Sequence, residues 1–150
     1  MPPTSSRPDP AAASSRVLVD SNVLLDVAEM DPRWYEWSAT TLAALAERKM
    51  LAINPIVYAE VAMGYAAIEE VEAALPAEQF LRLPLPWEAA FLASTCQRRY
   101  RRSGGRRERT LPDFLIGAHA AVEGMALVTR DASRYRTYFP RLELIAPDLS

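Results

Sequence analysis

The chain has 150 residues, half of them hydrophobic, which is enough for one domain with a sizeable core. Its formal net charge of −2 excludes an overall positive field of the kind that indicates nucleic-acid binding. A single cysteine, Cys96, excludes an intramolecular disulfide and favours a reducing, cytoplasmic compartment. No apolar run approaches the ~18 residues that a membrane span needs. Residues 1–15 are rich in Pro, Ser and Ala and lack the hydrophobic stretch of a signal peptide, so we expect a disordered leader followed by one domain over 16–150.

Strand-like and helix-like segments alternate from Arg16 onward. In chain order we predict a strand at 17–19, a short helix to about Ala28, a helix over 38–49, a strand over 50–53, a helix that carries Glu60, an acidic helix ending near Pro76, a strand over 80–83, a long helix over 87–102, a helix over 113–123, a strand over 126–129, a helical turn over 135–139 and a last strand over 142–145. Strands that alternate with helices predict a three-layer α/β/α sandwich on a mainly parallel sheet.

Four acids should meet at one edge of this sheet. Asp20 and Asp131 directly follow predicted strands, and Glu60 and Asp113 lie in the first or second turn of predicted helices. Ligand sites of open parallel sheets lie outside the carboxyl ends of the strands. A buried carboxylate needs a partner or a metal, and hard divalent cations prefer oxygen ligands. The pattern therefore predicts a pocket for one or two Mg²⁺ ions, in which Asn22 beside Asp20 helps to orient a ligand.

Each acid also has an ordinary interpretation when it is taken alone. Asp20 and Asp131 could cap helices, Glu60 could face solvent, and Asp113 could interact with a helix N-terminus. All four together favour a site that activates water against a phosphodiester.

Other site chemistries lack their residues. One histidine and one cysteine cannot build a zinc site. His119 lies about 240° around the helix from Asp113, so we interpret it as a packed helix residue. Cys96 is interpreted as a small core residue.

An arginine-rich segment over 98–109 is the second informative feature. We expect it to bind RNA phosphates, with Tyr100 stacking on a base, although cations at a solvated helix end are the ordinary alternative. The expected RNA-binding arginines are Arg98, Arg99, Arg101, Arg102, Arg106 and Arg107.

The motifs together resemble the PIN-domain family, and within it the VapC-type toxins of type II toxin–antitoxin pairs. The resemblance covers nearly everything from Arg16 to Pro147, through Val19-Asp20-Ser21-Asn22-Val23-Leu24-Leu25-Asp26, through Glu60, through Pro112-Asp113-Phe114-Leu115-Ile116-Gly117-Ala118-His119-Ala120 and through Leu127-Val128-Thr129-Arg130-Asp131 with the following Tyr135-Arg136-Thr137-Tyr138-Phe139-Pro140. It implies a Mg²⁺- or Mn²⁺-dependent endoribonuclease that cleaves structured RNA such as tRNA or rRNA loops. It further implies a homodimer or toxin–antitoxin hetero-oligomer that a small antitoxin protein silences.

We therefore expect Asp20, Glu60, Asp113 and Asp131 to be catalytic, with Asp20 and Asp113 as the favoured direct metal ligands. Asn22 and Thr129 are expected to support them, and cleavage should leave 5′-phosphate and 3′-hydroxyl ends.

Two alternatives stay open at this stage. One is a non-catalytic α/β module that binds RNA or protein, and the other is an aspartate-nucleophile phosphatase. The phosphatase is disfavoured because Asn22 replaces the second Asp of its usual Asp-x-Asp loop. Apolar residues at Val57, Val61 and Tyr65 could form a dimer or antitoxin groove, but packing in the core is the preferred interpretation.

Overall fold

The computed structural model describes residues 15–105 and 109–147. Most of the expected leader and two of the expected RNA-binding arginines, Arg106 and Arg107, lie outside the described residues. In the described part of the chain, five strands and seven helices alternate. They are β1 (Arg16–Val19), α1 (Ser21–Ala28), α2 (Tyr35–Ala46), β2 (Met50–Ile53), α3 (Pro55–Ala62), α4 (Ile68–Ala74), β3 (Leu81–Arg82), α5 (Trp87–Arg102), α6 (Leu111–Glu123), β4 (Ala126–Val128), α7 (Ser133–Arg136) and β5 (Leu144–Ile145).

The five strands form one parallel sheet in the order β3-β2-β1-β4-β5. Leu18 in the central strand β1 pairs in register with Ala52 on one side and Leu127 on the other. All three of these residues are fully buried, as expected for strands covered by helices on both faces. The predicted α/β fold with a parallel sheet is therefore confirmed.

The strand order reverses at β1. The chain passes outward from β1 to β2 and β3, and then returns to the other side of β1 for β4 and β5. Connections between parallel strands are right-handed, so the helices before and after this return lie on opposite faces of the sheet. A crevice opens at such a reversal, outside the carboxyl ends of β1 and β4. The residues that follow Val19 and Val128 therefore lie where folds of this kind bind ligands.

Several predicted bounds differ from the structure. Helix α2 begins at Tyr35 rather than Ser38, because the Asp31 carboxylate accepts hydrogen bonds from the N–H groups of Arg33 and Trp34 and starts the turn early. Strand β3 is shorter than predicted and pairs only through Leu81 and Arg82. Helix α6 begins at Leu111, before the predicted start, because Thr110 is its N-cap.

The core decides the roles of several apolar and aromatic residues that the sequence singled out. Cys96 is buried, as predicted. Val57 and Val61 are also buried, and Tyr65 is partly buried against the core, so all three pack in the core. Val61 also lines an apolar groove beside α1, α2 and β3. Tyr100 was wrongly assigned to base stacking: it is 8% exposed, and its ring makes edge contacts with Phe114 and Tyr138. Its position on the apolar face of α5 directs the ring inward although the neighbouring arginines face solvent.

His119 packs within the fold, as predicted. Asn54 is the N-cap of α3, and its side-chain oxygen accepts a hydrogen bond from the N–H of Val57. The Asn54 amide nitrogen therefore faces His119 and donates to Nδ1 over 2.9 Å. Burial, with a contribution from Arg16, lowers the pKa of His119 to about 4. The imidazole is neutral at physiological pH and links α6 to the start of the helix that carries Glu60.

None of the helices in the ranges 15–105 and 109–147 combines the length and the apolar character that a bilayer crossing requires.

Candidate active site

Asp20 lies at the reversal of the strand order, directly after β1. Its backbone N–H donates to the carbonyl oxygen of Val128 at the end of β4, over 2.9 Å. Its Oδ2 accepts hydrogen bonds from the hydroxyl groups of Thr129 at 2.8 Å and Tyr135 at 2.7 Å. The residue is 3% exposed. Burial raises the pKa of Asp20 above its ordinary value and nearby Asp113 adds to this, whereas the two hydroxyl groups oppose the shift.

Glu60 reaches the same crevice from the second turn of α3. The hydroxyl group of Ser21, the first residue of α1, donates to Glu60 Oε1 over 2.9 Å. Partial burial raises the pKa of Glu60, and the charges of Asp20 and Asp113 add to this effect, while the bond from Ser21 opposes it. Glu60 therefore faces the other acids, and the solvent-facing alternative does not describe it.

Asp113 combines a structural role with a position in the crevice. Its Oδ2 accepts hydrogen bonds from the N–H of Thr110 at 3.0 Å and from the Thr110 hydroxyl at 3.2 Å, which closes a capping box at the start of α6. Its other oxygen, Oδ1, lies 3.5 Å from Nη1 of Arg134. The helix N-terminus interpretation is thus correct for one oxygen, and the second oxygen faces the site.

Asp131 lies at the mouth of the crevice and is engaged by its neighbours. Nε of Arg134 lies 2.8 Å from Asp131 Oδ2, and the Ser133 hydroxyl donates to Oδ1 over 2.8 Å. The Asp131 side chain is 36% exposed, whereas that of Asp113 is 11% exposed. Asp131 is therefore more exposed than Asp20 and Asp113.

Thr129 links Asp20 to Asn22 and to the backbone of Asp131. Its hydroxyl donates to Asp20 and accepts from the N–H of Asp131 at 3.1 Å and from the Asn22 amide at 3.4 Å. Asn22 Oδ1 in turn accepts from the N–H of Arg130 at 3.4 Å. These contacts place Asn22 and Thr129 where they can orient Asp20.

The residue after Thr129 attaches this network to the helices that cover the sheet. Nε of Arg130 lies 2.9 Å from Oδ2 of Asp26, which is buried in α1. Asp26 also accepts a hydrogen bond from the hydroxyl of Ser38 in α2. One buried carboxylate therefore joins α1, α2 and the loop that follows β4.

The four acids are close but do not form a ready-made ligand set. Asp20, Glu60 and Asp113 repel one another electrostatically, and Asp131 joins them through Arg134. Within the described ranges, no three His, Cys, Asp or Glu side chains are arranged to bind one metal ion. The donor chemistry nevertheless fits a hard cation, because every donor is a carboxylate oxygen and two of the acids have raised pKa values.

The arginine-rich segment divides into exposed and packed residues. Arg98, Arg101 and Arg102 are exposed near the end of α5. The Arg99 guanidinium is also exposed but lies 5.5 Å from the ring centroid of Tyr138. Arg109 donates to the carbonyl oxygen of Ser133 over 2.8 Å. The segment therefore ends against α7, the helix that carries Arg134.

Sequence reasoning did not identify Tyr135, Arg134 and Thr110 as parts of the site. Two local signals could have found two of them. The spacing of Thr110 and Asp113 is that of a capping box, and Asp131 and Arg134 have the (i, i+3) spacing of a helical ion pair. No local signal indicates that Tyr135 contacts Asp20, because 115 positions separate them.

Gly117 provides the space that Tyr135 needs. A Cβ atom at this position would lie 2.5 Å from the ring of Phe139 and 3.0 Å from the ring of Tyr135. Such contacts are too short for packed side chains, so α6 approaches the Tyr135 ring closely only because residue 117 is glycine.

The fold and this crevice define a class of protein. The sequence profile of the PIN domain matches residues 17–140, and the chain belongs to the PIN domain family. No curated protein matches the sequence significantly.

Solved structures share the fold at low sequence identity. One chain of VapBC2 from Rickettsia felis, bound to a DNA fragment from their promoter, is 21% identical, with a TM-score of 0.69 over 89% of this chain and 99% of that one. A toxin–antitoxin complex from Klebsiella pneumoniae gives 21% identity and a TM-score of 0.65, again over 89% and 99%. VapBC-5 from Mycobacterium tuberculosis, a member of the VapBC family of toxin–antitoxin systems, gives 19% identity and 0.54 over 90% and 99%.

Proposed function

We propose that the chain is a metal-dependent endoribonuclease that acts as the toxin of a VapBC-type toxin–antitoxin pair. One observation carries the catalytic part of the proposal. Asp20, Glu60 and Asp113, contributed by three separate elements, come together at the reversal of the strand order with two raised pKa values. Carboxylates buried this close together destabilise the folded state unless a cation compensates their charge.

The contacts of each residue suggest its role in the proposed reaction. Asp20 and Asp113 would hold Mg²⁺ or Mn²⁺ directly, with Glu60 and Asp131 completing the site. A bound divalent cation would supply charge stabilisation for a phosphodiester and a more acidic water. Thr129 and Tyr135 keep Asp20 oriented. Glu60, held by Ser21, is suited to accept a proton from the attacking water.

RNA is the proposed substrate because exposed cations occur on the segment of chain that leads to Asp113. Arg98, Arg101 and Arg102 present positive charge for backbone phosphates, and Arg109 joins the same segment to α7. Hydrolysis by water should leave 5′-phosphate and 3′-hydroxyl ends.

The proposed toxin role is supported by the fold neighbours, which were solved as toxin–antitoxin complexes. In such a pair a small antitoxin protein would neutralise the chain, and the assembly would be a homodimer or a hetero-oligomer. An open apolar groove offers a surface for an antitoxin helix. The groove is lined by Leu24, Val27, Leu42, Ala43, Leu75 and Phe80.

The decisive experiment measures cleavage of a total tRNA and rRNA preparation. We expect cleavage with Mg²⁺ or Mn²⁺, loss of cleavage with EDTA, and loss with Asp20→Asn. Glu69→Gln is the matched control, because Glu69 is an exposed acid of α4. Full activity of Asp20→Asn, or cleavage that persists in EDTA, would refute the proposal. Induced expression in a bacterium should arrest growth for the wild type and for Glu69→Gln, but not for Asp20→Asn.

A non-catalytic RNA-binding module is the second candidate. The observation that favours it is the absence, within the described ranges, of three acids arranged around one point. In that case the protein would bind RNA through its arginines without cleaving it. Gel-shift binding that is insensitive to EDTA, together with intact RNA ends after incubation with Mn²⁺, would establish this alternative.

A further inference from the structure

The four acids of the crevice share one cation, Arg134. Its guanidinium lies 2.8 Å from Asp131 Oδ2 through Nε and 3.5 Å from Asp113 Oδ1 through Nη1. Its positive charge also acts on Asp20 and Glu60. A single side chain thus compensates acids contributed by the loop after β4, by α6, by α3 and by the end of β1.

Its neighbours hold Arg134 over the crevice. Two hydrogen bonds hold Ser133: its carbonyl oxygen accepts from Arg109, and its hydroxyl donates to Asp131. Residue 135 is buried with its hydroxyl group on Asp20. Arg134 lies between these two anchors, so helix α7 presents its guanidinium to the acids.

This arrangement explains why the described acids form no ready-made metal-binding group. Asp113 Oδ2 is committed to Thr110, and Oδ1, which faces the crevice, is next to the guanidinium. The oxygens of Asp131 are taken by Arg134 and Ser133. A divalent cation and the guanidinium would therefore compete for the same oxygens.

We propose that Arg134 is the resident counter-cation of the metal-free site and that a divalent cation displaces its guanidinium from Asp113 and Asp131 on binding. Arg134 is then a positioning residue, which acts through these two acids and sets the affinity of the site for metal. The inference rests on the proposed metal-dependent function.

The two possible roles of Arg134 predict opposite changes in the affinity for Mn²⁺. If Arg134 competes with the metal, Arg134→Gln removes the competitor, and Mn²⁺ should bind about three- to tenfold more tightly, as the loss of one or two partly exposed ion pairs implies. If Arg134 merely holds the acids in place, the same change should weaken Mn²⁺ binding. Arg134→Lys keeps the charge but loses the planar fork that reaches two acids, so its affinity should be intermediate.

The test is titration of the purified full-length proteins with Mn²⁺, followed by calorimetry or by the electron paramagnetic resonance signal of free Mn²⁺. The matched control is Arg136→Gln, which removes the same charge from an exposed position of the same helix and should leave the affinity unchanged within about twofold. Thermal unfolding gives a second measurement. Arg134→Gln should have a lower Tm than the wild type in EDTA and should gain more from Mn²⁺, since metal binding stabilises only the folded state.

Two outcomes overturn the proposal in distinguishable ways. If the wild type binds Mn²⁺ and Arg134→Gln binds it equally or less tightly, Arg134 is not a counter-cation, while the proposed function stands. If neither the wild type nor any variant binds Mn²⁺, both this inference and the metal-dependent function are refuted.

Discussion

Tyr135→Phe removes one hydroxyl group from the centre of the site and tests whether Asp20 is held as an ion. The Tyr135 side chain is 1% exposed, and its hydroxyl donates to Asp20 Oδ2 over 2.7 Å. Burial and the charge of Asp20 raise the pKa of Tyr135 well above its ordinary value, so the phenol stays protonated and remains a donor. Phenylalanine keeps the ring that packs beside Gly117.

The expected cost follows from the charge of the acceptor. A hydrogen bond to a charged group contributes about 1.5–3 kcal/mol, and a bond between neutral groups about 0.5–1.5 kcal/mol. Thr129 still donates to the same oxygen, so Asp20 is not left without a partner. At neutral pH and without metal, we therefore expect the free energy of unfolding to fall by about 1.5–3 kcal/mol.

The effect should depend on pH. Burial raises the pKa of Asp20, and the bond from Tyr135 lowers it, so the substitution raises this pKa further. A group whose pKa is raised on folding contributes its stability fully below its unfolded value, here 3.8, and loses that contribution as the pH rises through its folded pKa. The difference between wild type and Tyr135→Phe should therefore be small in acid and grow as Asp20 ionises.

The assay is urea unfolding in EDTA over a series of pH values. Tyr138→Phe is the control, because the ring of Tyr138 packs against Tyr100 and Phe114 and Asp20 takes its hydroxyl donors from elsewhere. In an Asp20→Asn background, Tyr135→Phe should cost only the neutral value. An equal cost in both backgrounds, or one that does not change with pH, would refute an ionised Asp20 held by Tyr135.

Four further outcomes are expected. Asp20→Asn should stabilise the metal-free protein at neutral pH and flatten its pH profile above 3.8, because it removes a buried charge whose pKa is raised; lower stability by urea unfolding would contradict this. Arg130→Met should cost about 3 kcal/mol in the same assay, because it leaves the 2% exposed Asp26 without its guanidinium; a cost below about 1 kcal/mol would show that the pair is not structural. Arg102→Gln should weaken RNA binding and reduce the slope of log affinity against log salt by about 1, and an unchanged slope would remove Arg102 from the interface. Ala43→Arg, at an exposed position in the apolar groove, should preserve growth arrest but prevent neutralisation by a co-expressed antitoxin; retained neutralisation would place the antitoxin elsewhere.

Local patterns in the sequence were sufficient to predict most of the strands and helices. The run Val17-Leu18-Val19 is apolar at every position, and such runs are typical of strands covered on both faces, so β1 and the place of Asp20 after it followed directly. Helix α5 was also predicted with its observed bounds, since Pro86 precedes it and Ser103 and Gly104 follow it. Both signals depend only on residues that are close in the chain.

The same reasoning failed where one face of a helix had to be distinguished from another. Tyr100 lies among arginines in the sequence, which indicated a residue exposed to RNA, yet its ring is buried against Phe114. Val57 and Val61, by contrast, are core residues as preferred from the sequence, although their helix is apolar on most sides and a groove was the open alternative. Composition does not indicate which side of such a helix meets the sheet.

The sequence by itself determined the class of fold, and it predicted that four acids lie at one edge of the sheet. Only the tertiary structure decided what each acid contacts: Ser21 on Glu60, Tyr135 on Asp20, and Arg134 on Asp113 and Asp131. The physical reason is the range of the interactions. Strands and helices follow from periodic burial over a few residues. These contacts instead join side chains that are far apart in the chain and that the fold brings together, and a hydrogen bond or ion pair forms only when its distance is right to within a few tenths of an ångström.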